Sequence, residues 1–95
     1  MIQEPSIAPI RISELSKGHA GAQYNLGFMY DNGRGVPEDY VQAHMWFNLA
    51  ASRATGEMRE DAVEARDRTA DEMTPAALSE AQRLAREWDE AHPRD

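Results

Sequence analysis

Apolar residues in this chain recur at helical spacing in four stretches, each bounded by residues that start or stop a helix. Nowhere do they alternate with period two over the length of a strand. After His19, the residues Ala22, Leu26, Met29 and Tyr30 fall on one face of a 3.6-period helix. Asp31-Asn32-Gly33 stops it, with Gly33 suited to the left-handed position that follows a helix end. Gly35-Val36-Pro37 reads as a shaped turn in which Val36 is the apolar plug. Asp39 is the N-cap candidate for a second helix, where Tyr40, Ala43, Phe47, Ala50 and Ala54 mark a stripe with Trp46 and Ala51 beside it. Gly56 separates a third helix, roughly Glu57 to Glu72. Its seam of Met58, Ala62, Ala65, Thr69 and Met73 is narrow and set among charges, so this helix depends on its neighbours. Thr74-Pro75 opens a fourth helix with a hydroxyl cap and a proline at its first position. Ala77, Ala81, Leu84, Trp88 and Ala91 form its seam, flanked by Leu78 and Ala85, and Pro93 ends any continuation.

Short links between four such helices predict an all-α fold of two stacked antiparallel helical hairpins. Residues 1–17 read as an N-terminal arm or strap, 18–91 as the helical domain and 92–95 as a tail. Gly27 lies mid-helix, where it costs about 1 kcal/mol relative to alanine. That cost is explained if a ring from the following helix packs directly against it, with Trp46 or Phe47 as candidates.

The run Gly18-His19-Ala20-Gly21-Ala22-Gln23-Tyr24-Asn25-Leu26-Gly27-Phe28-Met29-Tyr30, the turn Gly33-Arg34-Gly35-Val36-Pro37-Glu38-Asp39-Tyr40, and then Ala43, Trp46-Phe47 and Ala50-Ala51 together resemble a Sel-one-like repeat, a relative of the tetratricopeptide repeats. The remainder resembles the degenerate closing unit that follows the last such repeat, through Met73-Thr74-Pro75 and Ala81-Gln82-Arg83-Leu84-Ala85. Arg66 and Asp67 stand where that unit would carry a Leu-Gly pair. The resemblance implies an α/α superhelix, tetratricopeptide-like, and a protein-interaction or adaptor role, and it implies no reaction.

Lys and Arg number 10 against 17 Asp and Glu, a formal net charge of −7. This argues against nucleic acid, which needs clustered cations, and against an anionic membrane surface. There is no cysteine, hence no disulfide or thiolate chemistry. No apolar run approaches the roughly 18 residues that span a bilayer. Nor does the start of the chain carry a basic region followed by an apolar stretch, so the cytoplasm is the expected location.

Candidate chemistry is sparse. His19, His44 and His92 are dispersed and read as surface or partly buried imidazoles rather than metal ligands. The carboxylates from Glu57 to Glu72 read as a solvated face with Arg59, Arg66 and Arg68 interleaved. Gly33-Arg34-Gly35 lacks the context of a phosphate loop, and no serine stands in a nucleophile elbow. No catalytic residue, cofactor or metal is expected.

The first helix presents Asn25, Phe28, Met29 and Asn32 on a face not needed for pairing with the second, and Tyr24 and Phe28 are the aromatics placed to reach a partner. The third helix continues that face with Glu64, Arg68 and Asp71. A protein or peptide is the expected occupant, making the chain an adaptor or scaffold. The alternative is a small acidic inhibitor or regulatory subunit whose Glu57–Glu72 helix occupies a basic site on an enzyme. One repeat and a partial one leave apolar surface to cover. Ala20, Tyr24, Gly27 and Phe28 form that patch, with Ile7, Ile10, Ile12 and Leu15 or a second copy of the chain as its cover, so a homodimer is a further expectation.

Overall fold

The computed structural model describes residues 19–93, so the proposed strap, with Ile7, Ile10, Ile12 and Leu15, lies outside the described residues. Four helices follow one another: α1 (Ala20–Asn32), α2 (Tyr40–Arg53), α3 (Gly56–Ala70) and α4 (Pro75–Ala91). No strand occurs among the described residues. The fold is all-α, as expected: α1 and α2 form an antiparallel hairpin, and α3 and α4, joined by a short turn, both pack on α2.

The helix boundaries come from the residues that flank them. Gly33 adopts φ 68°, and the Arg34 N–H donates to the Met29 carbonyl at 2.9 Å, closing the end of α1. The Asp39 N–H reaches back to the Tyr30 carbonyl at 3.0 Å, so the long connection is a tied turn. Asp39 then caps α2 by accepting from the Gln42 N–H at 3.1 Å. Gly56 takes φ 59° as the chain bends from α2 into α3. Thr74 caps α4 by accepting from the Ala77 N–H at 3.1 Å, with Pro75 at the first helical position.

Helix α2 is the centre of the molecule, and the other three each pack against it. Its pairing with α1 is antiparallel: Tyr24 meets Ala50 and Ala51, while Tyr30 packs near Ala43 and Phe47. Its pairing with α3 is antiparallel too, bringing Ala51 to Ala62 and Phe47 to Ala65. With α4 it runs parallel, from Trp46 on Trp88 to Arg53 beside Asp89 and His92. Being surrounded, α2 buries more than the one stripe read from the sequence. His44, Met45 and Leu49 are buried alongside Ala43, Phe47, Ala50 and Ala54. Enclosing a side chain the size of Phe47 or Leu49 stabilises the fold by roughly 1.5–3 kcal/mol each.

Two expected seams lose a terminal member. Met58 is exposed at the start of α3, and Ala91 is exposed at the end of α4. The buried residues are Ala62, Ala65 and Thr69 on α3 and Ala81 and Ala85 on α4. The Thr69 hydroxyl donates to the Ala65 carbonyl at 2.9 Å, which lets it be buried. Helix α3 ends at Ala70 rather than Glu72, and Glu72 and Met73 close a turn onto Thr69 and Ala70.

Candidate functional site

Gly27 and the rings around it organise one side of the molecule. A Cβ on Gly27 would stand 2.5 Å from two carbons of the Phe47 ring, so the notch predicted from the sequence is filled by Phe47. Trp46 takes the other course and meets Trp88 of α4 edge to face, with ring centroids 5.7 Å apart. Gly27 is consequently buried and does not belong to the outward apolar patch; Tyr24 and Phe28 do, both half-buried. They meet edge to face at 4.8 Å, and each also touches Phe47, at 5.8 Å for Tyr24 and 5.2 Å for Phe28. The buried ring thus fixes the two outer ones from below.

Helix α3 supplies the opposite bank. Tyr24 packs beside Ala62 and Val63, and Phe28 lies in the cluster that contains Ala65. The Tyr24 hydroxyl is pushed above its ordinary range by burial first, then by the Asp61 carboxylate; Arg68 opposes this and Glu64 adds to it. Asp61, Glu64 and Arg68 are all exposed, so this ring is flanked by two carboxylates and one cation. Further along, Tyr40 is raised first by Glu38, then by slight burial, Glu72 and Asp31. The face is therefore aromatic between carboxylates, with Arg68 as a cation beside Tyr24.

Of the residues singled out in the sequence, Tyr24 and Phe28 come together, and the charges of Glu64 and Arg68 lie near enough to act on the Tyr24 hydroxyl. Asn25 and Asn32 are exposed on α1, three and four residues from Phe28 and on its side of the helix. Met29 turns away: it packs against the separate cluster of Leu26, Met45, Trp46 and Leu49. Asp61 was missed, although it precedes Glu64 and Arg68 by three and seven residues and so shares their face of α3.

The histidines fall in three settings. His19 is exposed at the start of α1. His44 is only 3% exposed, more enclosed than a surface or partly buried imidazole. His92 stacks on the Trp88 ring at 4.0 Å at the end of α4. No group of three or more His, Cys, Asp or Glu able to hold a metal occurs among the described residues. No helix there is long and apolar enough to cross a membrane.

No curated protein and no solved structure gives a significant match to this chain. A family model does match: the Sel1 repeat, over residues 20–54. That span holds all of α1, the tied turn and α2, including Gly27 and its partner Phe47. Sel1 repeats are in general non-catalytic modules that mediate protein–protein interaction. Residues 20–54, from the start of α1 to the residue after α2, are thus similar to a Sel1 repeat.

Proposed function

We propose that this chain is a non-catalytic interaction module that captures a basic segment of another protein on the face between α1 and α3. The observation that carries this reading is the Tyr24–Phe28 pair, half-exposed and held between the carboxylates of α3 and those around Tyr40. An aromatic pair held from below by Phe47 offers contact area at little entropic cost, and a Lys or Arg side chain meets both ring faces and carboxylates there. Asn25 and Asn32 supply amides for the main chain of the segment. The formal charge of −7 favours encounter with such a partner.

Panning a random peptide library against the whole chain tests this. Enriched peptides should carry Lys or Arg beside an apolar residue. Phe28→Ala and a paired Asp61→Lys, Glu64→Lys change should each lower their affinity about tenfold or more, with helical circular dichroism unchanged. Enrichment of peptides without basic residues, or equal affinity for the variants, would refute it.

A second reading has its own support. Glu57, Glu60, Asp61, Glu64, Asp67, Asp71 and Glu72 are all exposed, so α3 presents a carboxylate surface that suits a basic site on an enzyme. Binding of that kind falls steeply with added salt and is indifferent to Phe28→Ala.

A further inference from the structure

Residues 1–18 lead directly to His19 and α1, and so meet the molecule at one end of the face between α1 and α3. A Cβ on Gly21 would stand 3.8 Å from the Met58 Cε, which puts the starts of α1 and α3 side by side. Tyr24 and Phe28 are about 7.5 and 13.5 Å from His19 along the helix axis. An extended chain covers about 3.3 Å per residue, so Leu15 can reach back about 13 Å from His19 and Ile12 about 23 Å. Those lengths exceed what Tyr24 and Phe28 require, and Ser16, Lys17 and Gly18 remain for the reversal.

The same segment carries the chemistry that this face favours. Ile10-Arg11-Ile12 sets a cation between two apolar side chains, and Leu15 and Lys17 repeat that pairing. The face sets the half-buried Tyr24 and Phe28 beside the exposed carboxylates of Asp61 and Glu64. Within residues 1–18 two cations equal two carboxylates, Glu4 and Glu14, so the whole formal charge of −7 belongs to residues 19–95. A neutral segment with Arg11 at its centre is not repelled there, whereas a second copy of the chain brings like charge to an acidic face. Attachment adds to this: a short tether gives an effective concentration on the order of millimolar, so individually weak contacts hold the segment.

We infer that residues 7–15 cover the Tyr24–Phe28 face of their own chain, so that a partner binds only by displacing them. Ile10, Ile12 and Leu15 lie on the rings, and Arg11 meets the carboxylates of α3. The free chain is then self-occupied. A segment that merely equals Ile10-Arg11-Ile12 in affinity is excluded, because the attached copy competes with it at its effective concentration. Displacement by a partner rests on that face being the partner's site; the cover itself does not.

The test uses the whole chain with a benzophenone amino acid in place of Ile12, mixed from ¹⁴N- and ¹⁵N-labelled protein. Light should join residue 12 to α1 or α3 beside Tyr24 or Phe28, within chains of one isotope. A dye-labelled synthetic peptide of residues 7–15 serves as the probe of release. It should bind the whole chain carrying Ile10→Asp and Arg11→Glu about tenfold or more tightly than the unaltered chain, with Arg11→Glu alone acting in the same direction. Crosslinks between isotopes would give the face to a second copy and overturn the inference. Crosslinks elsewhere, or equal affinity of the probe for altered and unaltered chains, would overturn it too. Crosslinks on the face together with library peptides indifferent to Phe28→Ala would uphold the cover and sink only the partner reading.

Discussion

The Phe47 ring occupies the space that a side chain at residue 27 would need: a Cβ on Gly27 would lie 2.5 Å from its Cδ1 and Cε1 atoms. The glycine is what allows α1 and α2 to close on the ring. At an exposed mid-helix site Gly→Ala would stabilise the protein by about 1 kcal/mol. Gly27→Ala should instead destabilise by about 1–3 kcal/mol, because the fully buried ring has nowhere to move. Urea unfolding gives the sign directly. Adding Phe47→Leu should return part of the loss, and a raised midpoint for Gly27→Ala alone would contradict the notch.

Arg53 joins the ends of α2 and α4. Its side chain is 8% exposed, pairs with Asp89 at 2.5 Å and donates to the His92 carbonyl at 2.9 Å. Its guanidinium also lies 5.0 Å from the centre of the Trp88 ring. Arg53→Met keeps the apolar stem and removes the charge, and should cost about 1–3 kcal/mol. Hydrogen exchange should rise in the last turn of α4 first. Uniform loosening of all four helices would show that the contact is not local.

Arg83 makes a comparable pair of bonds, at 2.6 Å to Glu87 and 2.7 Å to Glu80, yet all three side chains are about half exposed. Solvent screens such contacts. Arg83→Ala should therefore leave stability almost untouched, visible as a nearly unchanged melting temperature. A loss as large as that of Arg53→Met would show that bond number rather than burial governs.

His44 makes stability depend on pH. Burial pushes its proton affinity below the ordinary 6.5, with Arg66 acting in the same direction and Asp67 against it. The unfolded chain then binds a proton at this site more readily than the folded one. Folding stability should fall as pH drops through about 6.5, by at most about 1.4 kcal/mol per unit from this group. Thermal unfolding from pH 7.5 to 5 should show a weaker dependence in His44→Gln. Equal slopes would remove His44 as the cause.

The ends of the helices were legible in local chemistry. Gly33, Asp39 and the Thr74-Pro75 pair act on backbone groups within a few residues of themselves, so their roles follow from sequence order. Gly27 was legible as an unexplained cost, though not which ring answered it. Trp46 and Phe47 are adjacent and project about 100° apart on α2, and only the placement of α1 and α4 around that helix sends one to each. The same cause hid His44, Met45 and Leu49: a stripe reports burial on one side, and α2 is covered on several. It also separated Met29 from Phe28, which are neighbours in sequence but face different clusters.

Sequence alone determined the helical class, the hairpin connections and the need for a close approach at Gly27, because periodicity, capping and glycine's missing side chain are properties of short segments. Tertiary structure alone decided that Asp61 joins Tyr24 and that Trp46 and Phe47 go to different neighbours of α2. Those arrangements depend on how far apart and at what angle distant helices settle on α2, which is set by packing summed over the whole core rather than by any segment.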